Sequence, residues 1–405
     1  MELSLGRTPR LAALVAAAAV ALTAGVGLSA TAASAVPGRV DQTRVDQIEP
    51  LQRDADAVVA AGLPGYTAQV TNGRQARYVR AGVADRGTGR ALSPADAFDI
   101  ASITKTFGAT VVLQLVAEHR LSLDDNLAHL LPGAVPGGRA ITLRMLLNHT
   151  SGLFDYTQDE QWLAALTTDP DHAWTPAELL SLALRHPPTF APGTDRAYSN
   201  TGYVLVGMIL ERLTGRPMGE LFAERITGPL RLRHTYYAAG SRFRAARHAH
   251  GYLLGTDGDQ FTYTDITDLG LLSTGMDGGM VSTVADITTF FQALLGGHLL
   301  PPAELAQMKQ TIPVKGQPGH SYGLGLARTE TPCGTTWGND GASLGFLSTA
   351  VFSEDGRRGV VSAFNANVDP AADPEVIEQR LLPAANTLLN QQVCTLYGKP
   401  VPPQS

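Results

Sequence analysis

The 405-residue sequence predicts a protein with an α/β part and an all-α part, in which the two ends of the chain form one sheet domain around an inserted helical domain. Three observations lead to this prediction. Alternating apolar and polar runs lie near both ends, segments of helical period lie between them, and the chain is too long for one compact core. We therefore assign residues 36–110 and 318–397 to the sheet domain, residues 111–317 to the helical domain and residues 398–405 to a tail.

Two hairpins are predicted in the sheet domain. Residues 71–74, Thr-Asn-Gly-Arg, form a turn sequence between two alternating runs, and residues 353–357 separate two apolar runs near the C-terminus. A final helix is predicted from about residue 374 to 390. Between these regions, apolar side chains recur at helical spacing in several segments. The first of these helical faces consists of Phe107, Val111, Val112, Leu115 and Val116.

The N-terminus has the pattern of a secretory signal peptide. Arg7 and Arg10 precede an uncharged stretch that begins with alanine, leucine and valine and ends near Ala33-Ser34-Ala35. A membrane anchor is the alternative, but the second half of this stretch is poor in large apolar residues. We expect residues 1–35 to be removed, and we expect a secreted, extracellular protein that has no membrane contact after cleavage.

Composition limits the cofactors and partners. The formal net charge of −6 provides no basic footprint for a nucleic-acid partner. The histidines show no metal-binding spacing and no nucleotide-binding glycine motif follows a predicted strand, so we expect no metal and no other cofactor. The two cysteines, Cys333 and Cys394, predict one disulfide between the last helical segment and a strand region; two free buried thiols are the alternative.

Ser102-Ile103-Thr104-Lys105 is the first candidate for chemistry. At the start of a helix, Ser102 and Lys105 lie one turn apart on the same face, where a partly desolvated lysine can accept the serine proton. The chain contains four lysines in 405 residues, so chance seldom places one at this position. An N-cap serine beside a solvated lysine is the alternative interpretation.

Tyr198-Ser199-Asn200 is the second candidate, in a polar loop before a predicted helix. The Tyr198 phenol can shuttle a proton between a nucleophile and a leaving group. The Asn200 amide can hold a substrate carbonyl or the lysine. The alternative is a tyrosine packed at a helix start, with Asn200 as the helix cap.

The third candidate is Asn339-Asp340-Gly341-Ala342, which precedes a predicted strand. Gly341 allows a substrate backbone to approach a strand edge closely, and the adjacent N–H can contribute to an oxyanion hole. A tight turn is the alternative. Residues 341–345 also match G-x-S-x-G, but a strand follows this pattern and every histidine lies upstream of it, so we exclude a nucleophile elbow.

These segments resemble those of the serine β-lactamases and penicillin-binding DD-peptidases, in the same order and at similar separations. The resemblance is nearest to the class C-like branch, especially to secreted actinobacterial D-alanyl-D-alanine carboxypeptidases, and it covers almost the whole mature chain. It implies a β-lactamase/transpeptidase-like fold, with an antiparallel sheet flanked by terminal helices. Supporting segments are GVADRGTGRAL, ASITKTF, LQLVAEHRLSLDDNL, MLLNHTSGLFDYT, APGTDRAYSNTGYVLVGMI and SYGLGLA.

The resemblance also implies an acyl-enzyme mechanism. Ser102 attacks a carbonyl carbon, while Lys105 and Tyr198 move the protons. Asn200 contacts the substrate amide, and the N–H groups of Ser102 and Ala342 form the oxyanion hole. Penicillins are then expected to acylate Ser102.

The third segment departs from the family pattern. Relatives usually have His or Lys at the position of Asn339 and a small residue at Asp340, and the carboxypeptidases have Arg at Ala327 and Thr at Ala342. In the relatives those side chains bind the free carboxylate of the peptide. Each lost charge-assisted hydrogen bond is worth about 1.5–3 kcal/mol. Arg328, the next residue, is expected to point to the other face of its strand.

We therefore expect a serine hydrolase of the D-alanyl-D-alanine carboxypeptidase type, acting on peptidoglycan-like peptides. The altered third segment favours, as an alternative, an esterase, amidase or D-aminopeptidase of the same fold, with Asp340 facing an ammonium or neutral group. A non-catalytic binding protein is the alternative of another class. We expect a monomer whose binding partners are peptide, ester or β-lactam substrates. The predicted substrate-binding residues are Asn200, Asn339, Asp340, Gly341 and Ala342.

Overall fold

The computed structural model describes residues 48–238, 243, 245–268 and 275–402 of the chain. The predicted signal peptide, residues 1–35, and the last residues of the predicted tail, 403–405, lie outside the described residues. Within the described ranges, no helix is both long enough and apolar enough to span a bilayer.

Most of the strands belong to one large sheet. The strands are β1 (Gly65–Asn72), β2 (Gln75–Asp85), β3 (Arg90–Ala91), β4 (Phe98–Asp99), β5 (Tyr236–Tyr237), β6 (Tyr252–Asp257), β7 (Gln260–Asp265), β8 (Met280–Ser282), β9 (Ile312–Pro313), β10 (His320–Tyr322), β11 (Ala327–Thr331), β12 (Gly334–Ala342), β13 (Leu347–Phe352), β14 (Arg358–Phe364) and β15 (Ala366–Val368). The large sheet has the order β3-β2-β1-β14-β13-β12-β11-β10-β9, and all its neighbouring strands are antiparallel. Two smaller sheets have the orders β15-β6-β7 and β4-β8-β5.

Helices flank the large sheet and make up most of the chain between its N-terminal and C-terminal strands. The α-helices are α1 (Glu49–Ala60), α2 (Thr104–Ala117), α3 (Leu127–Leu130), α4 (Leu143–Leu147), α5 (Glu160–Thr168), α6 (Pro176–Leu184), α7 (Asn200–Thr214), α8 (Met218–Phe222), α9 (Val284–Leu295), α10 (Pro302–Met308), α11 (Pro374–Val376) and α12 (Leu382–Tyr397). A π-helical segment follows α8 and another separates α11 from α12.

Both predicted hairpins are confirmed. β1 and β2 are joined by Gly73 and Arg74, with Gly73 at φ +59° in the left-handed region that such turns require. β13 and β14 form the second hairpin. The two hairpins join where β1 pairs with β14, with Tyr66 opposite Phe364. Strands from both ends of the chain therefore form one antiparallel sheet, as predicted.

The two faces of the sheet are covered by different helices. On β14, Val360 and Phe364 pack against α1 and α12, whereas Val361 and Ala363 face the larger core that contains α9. The terminal helices thus cover one face, as the resemblance implies, and α9 covers the other. Both β9 and α9 lie within residues 111–317, so this mainly helical segment also contributes a strand and a covering helix to the sheet layer.

Aromatic packing fixes helix α2 in the larger core. The Phe107 ring on α2 stacks on Phe290 of α9 with 3.6 Å between ring centroids, and it meets Phe222 of α8 edge-on at 6.3 Å. All three side chains are fully buried. Because the candidate nucleophile Ser102 directly precedes α2, this packing also determines where the nucleophile lies.

The predicted disulfide between Cys333 and Cys394 is confirmed, with 5.1 Å between the two Cα atoms. It joins the turn between β11 and β12 to the last helix. That helix is longer than predicted, because it continues past Asn390 to Tyr397. Polar residues after Asn390 hide this continuation in the sequence, and Gly398, at φ +61°, provides the left-handed end.

Candidate active site

The candidate nucleophile lies in a short 3₁₀ turn, Ala101–Ile103, directly before α2. Ala101 has φ +43°, in the left-handed region that residues with a Cβ seldom adopt. The Asp99 carboxylate accepts a hydrogen bond from the Ala101 N–H at 2.8 Å and so holds this conformation. Backbone strain of this kind concentrates at functional sites, and here it positions the half-buried Ser102.

Lys105 is fully buried one turn after the serine, and its side-chain nitrogen contacts three oxygen atoms. The Nζ atom lies 2.9 Å from Ser102 Oγ and 2.8 Å from Asn200 Oδ1, and it also donates to the backbone carbonyl of Asp277. Burial lowers the pKa of Lys105 below its ordinary value, although the negative charge of Asp277 opposes this shift. A lysine with a lowered pKa is suited to accept the proton of Ser102.

The Tyr198 hydroxyl is the second group within hydrogen-bond distance of the Ser102 hydroxyl. It lies 2.7 Å from Ser102 Oγ, and Lys105 Nζ is 5.0 Å from the centroid of the tyrosine ring. Burial of the phenol raises the pKa of Tyr198, so the phenol keeps its proton at neutral pH. The residue as a whole is 40% exposed, which makes it accessible from the cleft. Ser102, Lys105 and Tyr198 therefore come together as the sequence analysis expects.

Asn200, the first residue of α7, is held at both ends of its amide group. Its Oδ1 accepts the hydrogen bond from Lys105, and its Nδ2 donates to the Asp155 carboxylate at 3.1 Å. Burial raises the pKa of Asp155, and hydrogen bonds from Thr157 oppose the shift. These contacts fix the orientation of the amide, so Asn200 positions the lysine amine beside Ser102.

Asn339 is directed into the protein rather than into the open cleft. Its Nδ2 donates to the Ser102 carbonyl at 3.3 Å and to Thr106 Oγ1 at 3.1 Å. The side chain is buried, and it ties strand β12 to the nucleophile turn. A neutral amide therefore occupies the position at which the family resemblance leads us to expect a cation.

The end of β12 has one free edge beside the nucleophile turn. β11 pairs with β12 only as far as Gly338, and the Asp340 N–H instead donates to Asn339 Oδ1 at 3.1 Å. The Ser343 N–H points the other way, to the carbonyl of Phe346 in the β13 hairpin. Because successive N–H groups alternate along a strand, the Ala342 N–H points to the same free edge as that of Asp340.

Gly341 brings this edge close to the nucleophile turn. A Cβ atom at this position would lie 2.1 Å from the Ile100 carbonyl oxygen and 2.5 Å from Ser348 Oγ. The close approach is thus made by the protein's own backbone, two residues before Ser102. This contact sets the distance between Ser102 and the Ala342 N–H.

Asp340 is the acidic residue at the end of β12, where it lies opposite Thr349 of β13. The residue is exposed at the protein surface, but protein atoms crowd its carboxyl group, and this desolvation raises the pKa of Asp340 to about 6 against an opposing hydrogen bond with Thr349. Ala327 is buried, and Arg328 forms an ion pair with Glu330 at 2.8 Å. Within the described ranges, no cluster of His, Cys, Asp or Glu side chains is arranged to hold a metal ion.

His149 is a site residue that the sequence analysis did not single out. Its carbonyl accepts the Ala197 N–H at 3.1 Å and its Nδ1 accepts the Ser199 N–H at 3.3 Å, so it holds both neighbours of Tyr198. Its ring lies 4.4 Å from the Tyr198 ring, centroid to centroid. Burial, together with the positive charges of Arg196 and Lys105, lowers the pKa of His149 well below its ordinary value and keeps the ring neutral.

Tyr156 and Asp277 were also missed. The Tyr156 hydroxyl donates to Asp277 Oδ2 at 2.6 Å and so fixes the loop whose carbonyl binds Lys105. His149, Asp155 and Tyr156 all lie in the segment MLLNHTSGLFDYT, which the sequence analysis used only as evidence of family resemblance. That concentration of polar residues before a helical segment was the available clue to their role.

Several known proteins share this sequence pattern and fold. Residues 48–385 match the family described as Beta-lactamase. The chain is 29% identical over 311 residues to penicillin-binding protein 4 of Amycolatopsis lactamdurans, covering 73% of this chain and 75% of that protein. It is similar to the structure of a D-stereospecific amidohydrolase from Streptomyces sp., with 38% identity, a TM-score of 0.73, and coverage of 82% and 98% of the two chains. For D-amino acid amidase from Ochrobactrum anthropi SV3 the identity is 28%, the TM-score 0.73 and the coverage 85% and 97%.

Proposed function

Because the chain belongs to the β-lactamase family, whose members are serine hydrolases, we propose that it hydrolyses amides or esters of D-amino acids that carry a free amino group. One observation carries this proposal. Strands β11 and β12 beside the nucleophile turn carry Ala327, the inward-directed neutral Asn339 and the acidic Asp340, where a carboxylate-binding wall needs cations and hydroxyl groups. The likeness to the Streptomyces amidohydrolase supports the same substrate class.

The proposed reaction begins with attack of Ser102 Oγ on the carbonyl carbon of the substrate. Lys105 accepts the serine proton, because burial lowers the pKa of the lysine and raises that of Tyr198. The N–H groups of Ser102 and Ala342 bind the oxyanion of the tetrahedral intermediate. Tyr198, at 2.7 Å from Ser102 Oγ, donates a proton to the leaving amine or alcohol as its bond to the carbonyl carbon breaks, and Lys105 returns the serine proton to Tyr198. Water then attacks the acyl-enzyme, its proton follows the reverse path, and the free acid leaves with Ser102 reprotonated.

Asp340 recognises the free ammonium group of the substrate. Its pKa of about 6 leaves the carboxylate ionised at neutral pH, and an ammonium group nearby stabilises the ionised form further. The same carboxylate repels a substrate that presents a carboxylate at this wall. Asp340 thus favours D-aminoacyl substrates over N-blocked peptides with a free C-terminus.

The test compares D-alanine p-nitroanilide, its N-acetyl derivative, its L-enantiomer, and N-acetyl-D-alanyl-D-alanine. We expect kcat/KM for the free D-amine to exceed that of the N-acetyl derivative by about tenfold or more, the value of one charge-assisted hydrogen bond. Asp340→Asn removes this difference, whereas the matched control Asp124→Asn, at a carboxylate that is 81% exposed, retains it.

The carboxypeptidase hypothesis from the sequence predicts the opposite order. Faster cleavage of N-acetyl-D-alanyl-D-alanine than of its C-terminal amide, without any preference for a free amine, would favour that hypothesis and reject ours. Turnover of every substrate must be lost in Ser102→Ala. Equal behaviour of Ser102→Ala and the wild type in every assay would instead support the binding-protein alternative.

We also propose that the protein acts outside the cell as a monomer after removal of residues 1–35. The Cys333–Cys394 disulfide supports an oxidising compartment. Edman sequencing of protein recovered from the culture medium should begin at Val36. A mature chain that retains Met1 and remains with the cells would contradict this proposal, and light scattering tests the monomeric state.

A further inference from the structure

Arg196 is a cationic residue at the cleft that the proposed reaction does not use. Its guanidinium carbon lies 5.1 Å from the centroid of the Tyr322 ring, in a cation–π contact with a residue of β10. Arg196 is partly buried, and its Nε is fully buried without a hydrogen-bond partner among the described residues. Nor does any acidic side chain in the described ranges form an ion pair with it.

The aromatic groups around the Arg196 guanidinium are neutral, and the adjacent Asp195 carboxylate accepts a hydrogen bond from the Arg196 backbone N–H at 2.8 Å rather than pairing with the guanidinium. Electrostatic interactions connect it to the phenols of Tyr322, Tyr198 and Tyr203, whose pKa values are all raised. Burial, together with the charge of Arg196, lowers the pKa of His320, as it also does for His149. A partly desolvated guanidinium with an unused donor is costly unless an anion binds to it.

The position of Arg196 identifies the part of the substrate that can supply this anion. Tyr198, two residues along the chain, contacts Ser102 Oγ and is the group that protonates the leaving amine. The departing portion of the substrate therefore lies on the Tyr198 side of the nucleophile. Arg196 interacts electrostatically with Tyr198 and packs over Tyr322, whose hydroxyl accepts a hydrogen bond from Asn339 at 3.4 Å, so it lies on the Tyr198 side of β12. The Asp340 side chain instead hydrogen-bonds across to β13.

We propose that Arg196 binds the carboxylate of the residue that leaves, so that the preferred substrates are short peptides with a free N-terminal D-residue and a free C-terminal carboxylate. This inference rests on the proposed function and narrows its substrate class to zwitterionic peptides, of which a dipeptide is the simplest. A guanidinium suits this role because its planar fork can donate two parallel hydrogen bonds to one carboxylate.

The test measures kcat/KM for four substrates: D-alanyl-D-alanine, its C-terminal amide, and the N-acetyl form of each. Wild-type enzyme should cleave the free dipeptide about tenfold or more faster than its amide, because one charge-assisted contact is lost in the amide. Arg196→Gln should abolish this preference, mainly through KM, and Arg196→Lys should retain part of it. Arg212→Gln, at an exposed arginine near the other end of α7, is the matched control and should keep the preference.

Equal rates for the dipeptide and its amide in the wild type, or an unchanged preference in Arg196→Gln, would overturn the inference. The two N-acetyl substrates distinguish failure of the carboxylate subsite from failure of the proposed preference for a free amino group. If only the N-acetyl substrates are cleaved and their carboxylate preference depends on Arg196, the subsite stands but the aminoacyl specificity is wrong. Near-UV circular dichroism of both Arg196 variants verifies that the fold is intact, and the lysine variant keeps the test decisive if the glutamine variant is unstable.

Discussion

Gly341→Ala should separate the oxyanion-hole strand from the nucleophile without altering any chemical group in the site. The added Cβ atom would lie 2.1 Å from the Ile100 carbonyl oxygen and 2.5 Å from Ser348 Oγ. Ordinary van der Waals contact requires the strand and the Ile100 carbonyl to part by about 1 Å. Because Ile100 precedes the Ser102 turn and Gly341 precedes Ala342, this displacement acts on both sides of the reacting carbonyl.

The expected loss follows from that displacement. Misplacement of a reacting group by about 1 Å lowers the rate by about 100-fold, which corresponds to about 2.7 kcal/mol of transition-state stabilisation. Overpacking also costs about 1–3 kcal/mol of the free energy of unfolding, so the protein should remain folded with a lower melting temperature. Hydrolysis of a p-nitrophenyl ester measures kcat/KM, and circular dichroism measures the melting temperature.

Gly219→Ala is the matched control, because a Cβ atom there makes only an ordinary contact of 3.8 Å with Tyr237 Cβ. It should retain kcat/KM within a factor of about two, as expected of a substitution away from the site. A Gly341→Ala enzyme with kcat/KM within threefold of the wild-type value, and an unchanged melting temperature, would refute the proposed role of this close approach.

Three further predictions concern single groups. Tyr198→Phe removes the hydroxyl at 2.7 Å from Ser102 Oγ and should lower kcat/KM about 10²–10⁴-fold with little change in melting temperature; a loss below threefold would exclude Tyr198 as a proton carrier. Because the pKa of Asp340 is raised to about 6, its carboxylate gains a proton as the pH falls through that value, and kcat/KM for D-aminoacyl substrates should decrease below pH 6. A pH–rate profile of Asp340→Asn that still shows this decrease would contradict the assignment. Replacing both Cys333 and Cys394 by serine opens a link across 61 residues and should lower the free energy of unfolding by about 2–5 kcal/mol in urea titrations, whereas an unchanged midpoint would show that the disulfide does not stabilise the fold.

The parts of the fold that depend on local sequence were predictable. The β1–β2 turn at Gly73 and the pairing of Ser102 with Lys105 follow from short-range patterns, namely turn chemistry and helical spacing. The disulfide followed from the presence of two cysteines in a chain for which the sequence predicts export. The Tyr198 phenol alone was compatible with either a catalytic role or a tyrosine packed at a helix start, and the family resemblance favoured the catalytic role.

The missed residues act through contacts that span long stretches of sequence. Lys105 meets the carbonyl of Asp277 across 172 positions, and no local pattern in the sequence encodes that contact. His149 acts mainly through its backbone carbonyl and one ring nitrogen, which hold the residues on either side of Tyr198. The importance of Arg196 depends on the absence of an acidic side chain paired with its guanidinium among the described residues, and only the fold can reveal this.

Intact-mass spectrometry after incubation with a penicillin tests most directly whether Ser102 forms an acyl-enzyme. Ser102 is within hydrogen-bond distance of both Lys105 Nζ and the Tyr198 hydroxyl, so we expect one adduct of the mass of the penicillin on the wild-type protein. Peptide mapping should place the adduct on Ser102, and Ser102→Ala should show none. An adduct that persists in Ser102→Ala, or one that maps to another residue, would contradict the assignment of Ser102 as the nucleophile.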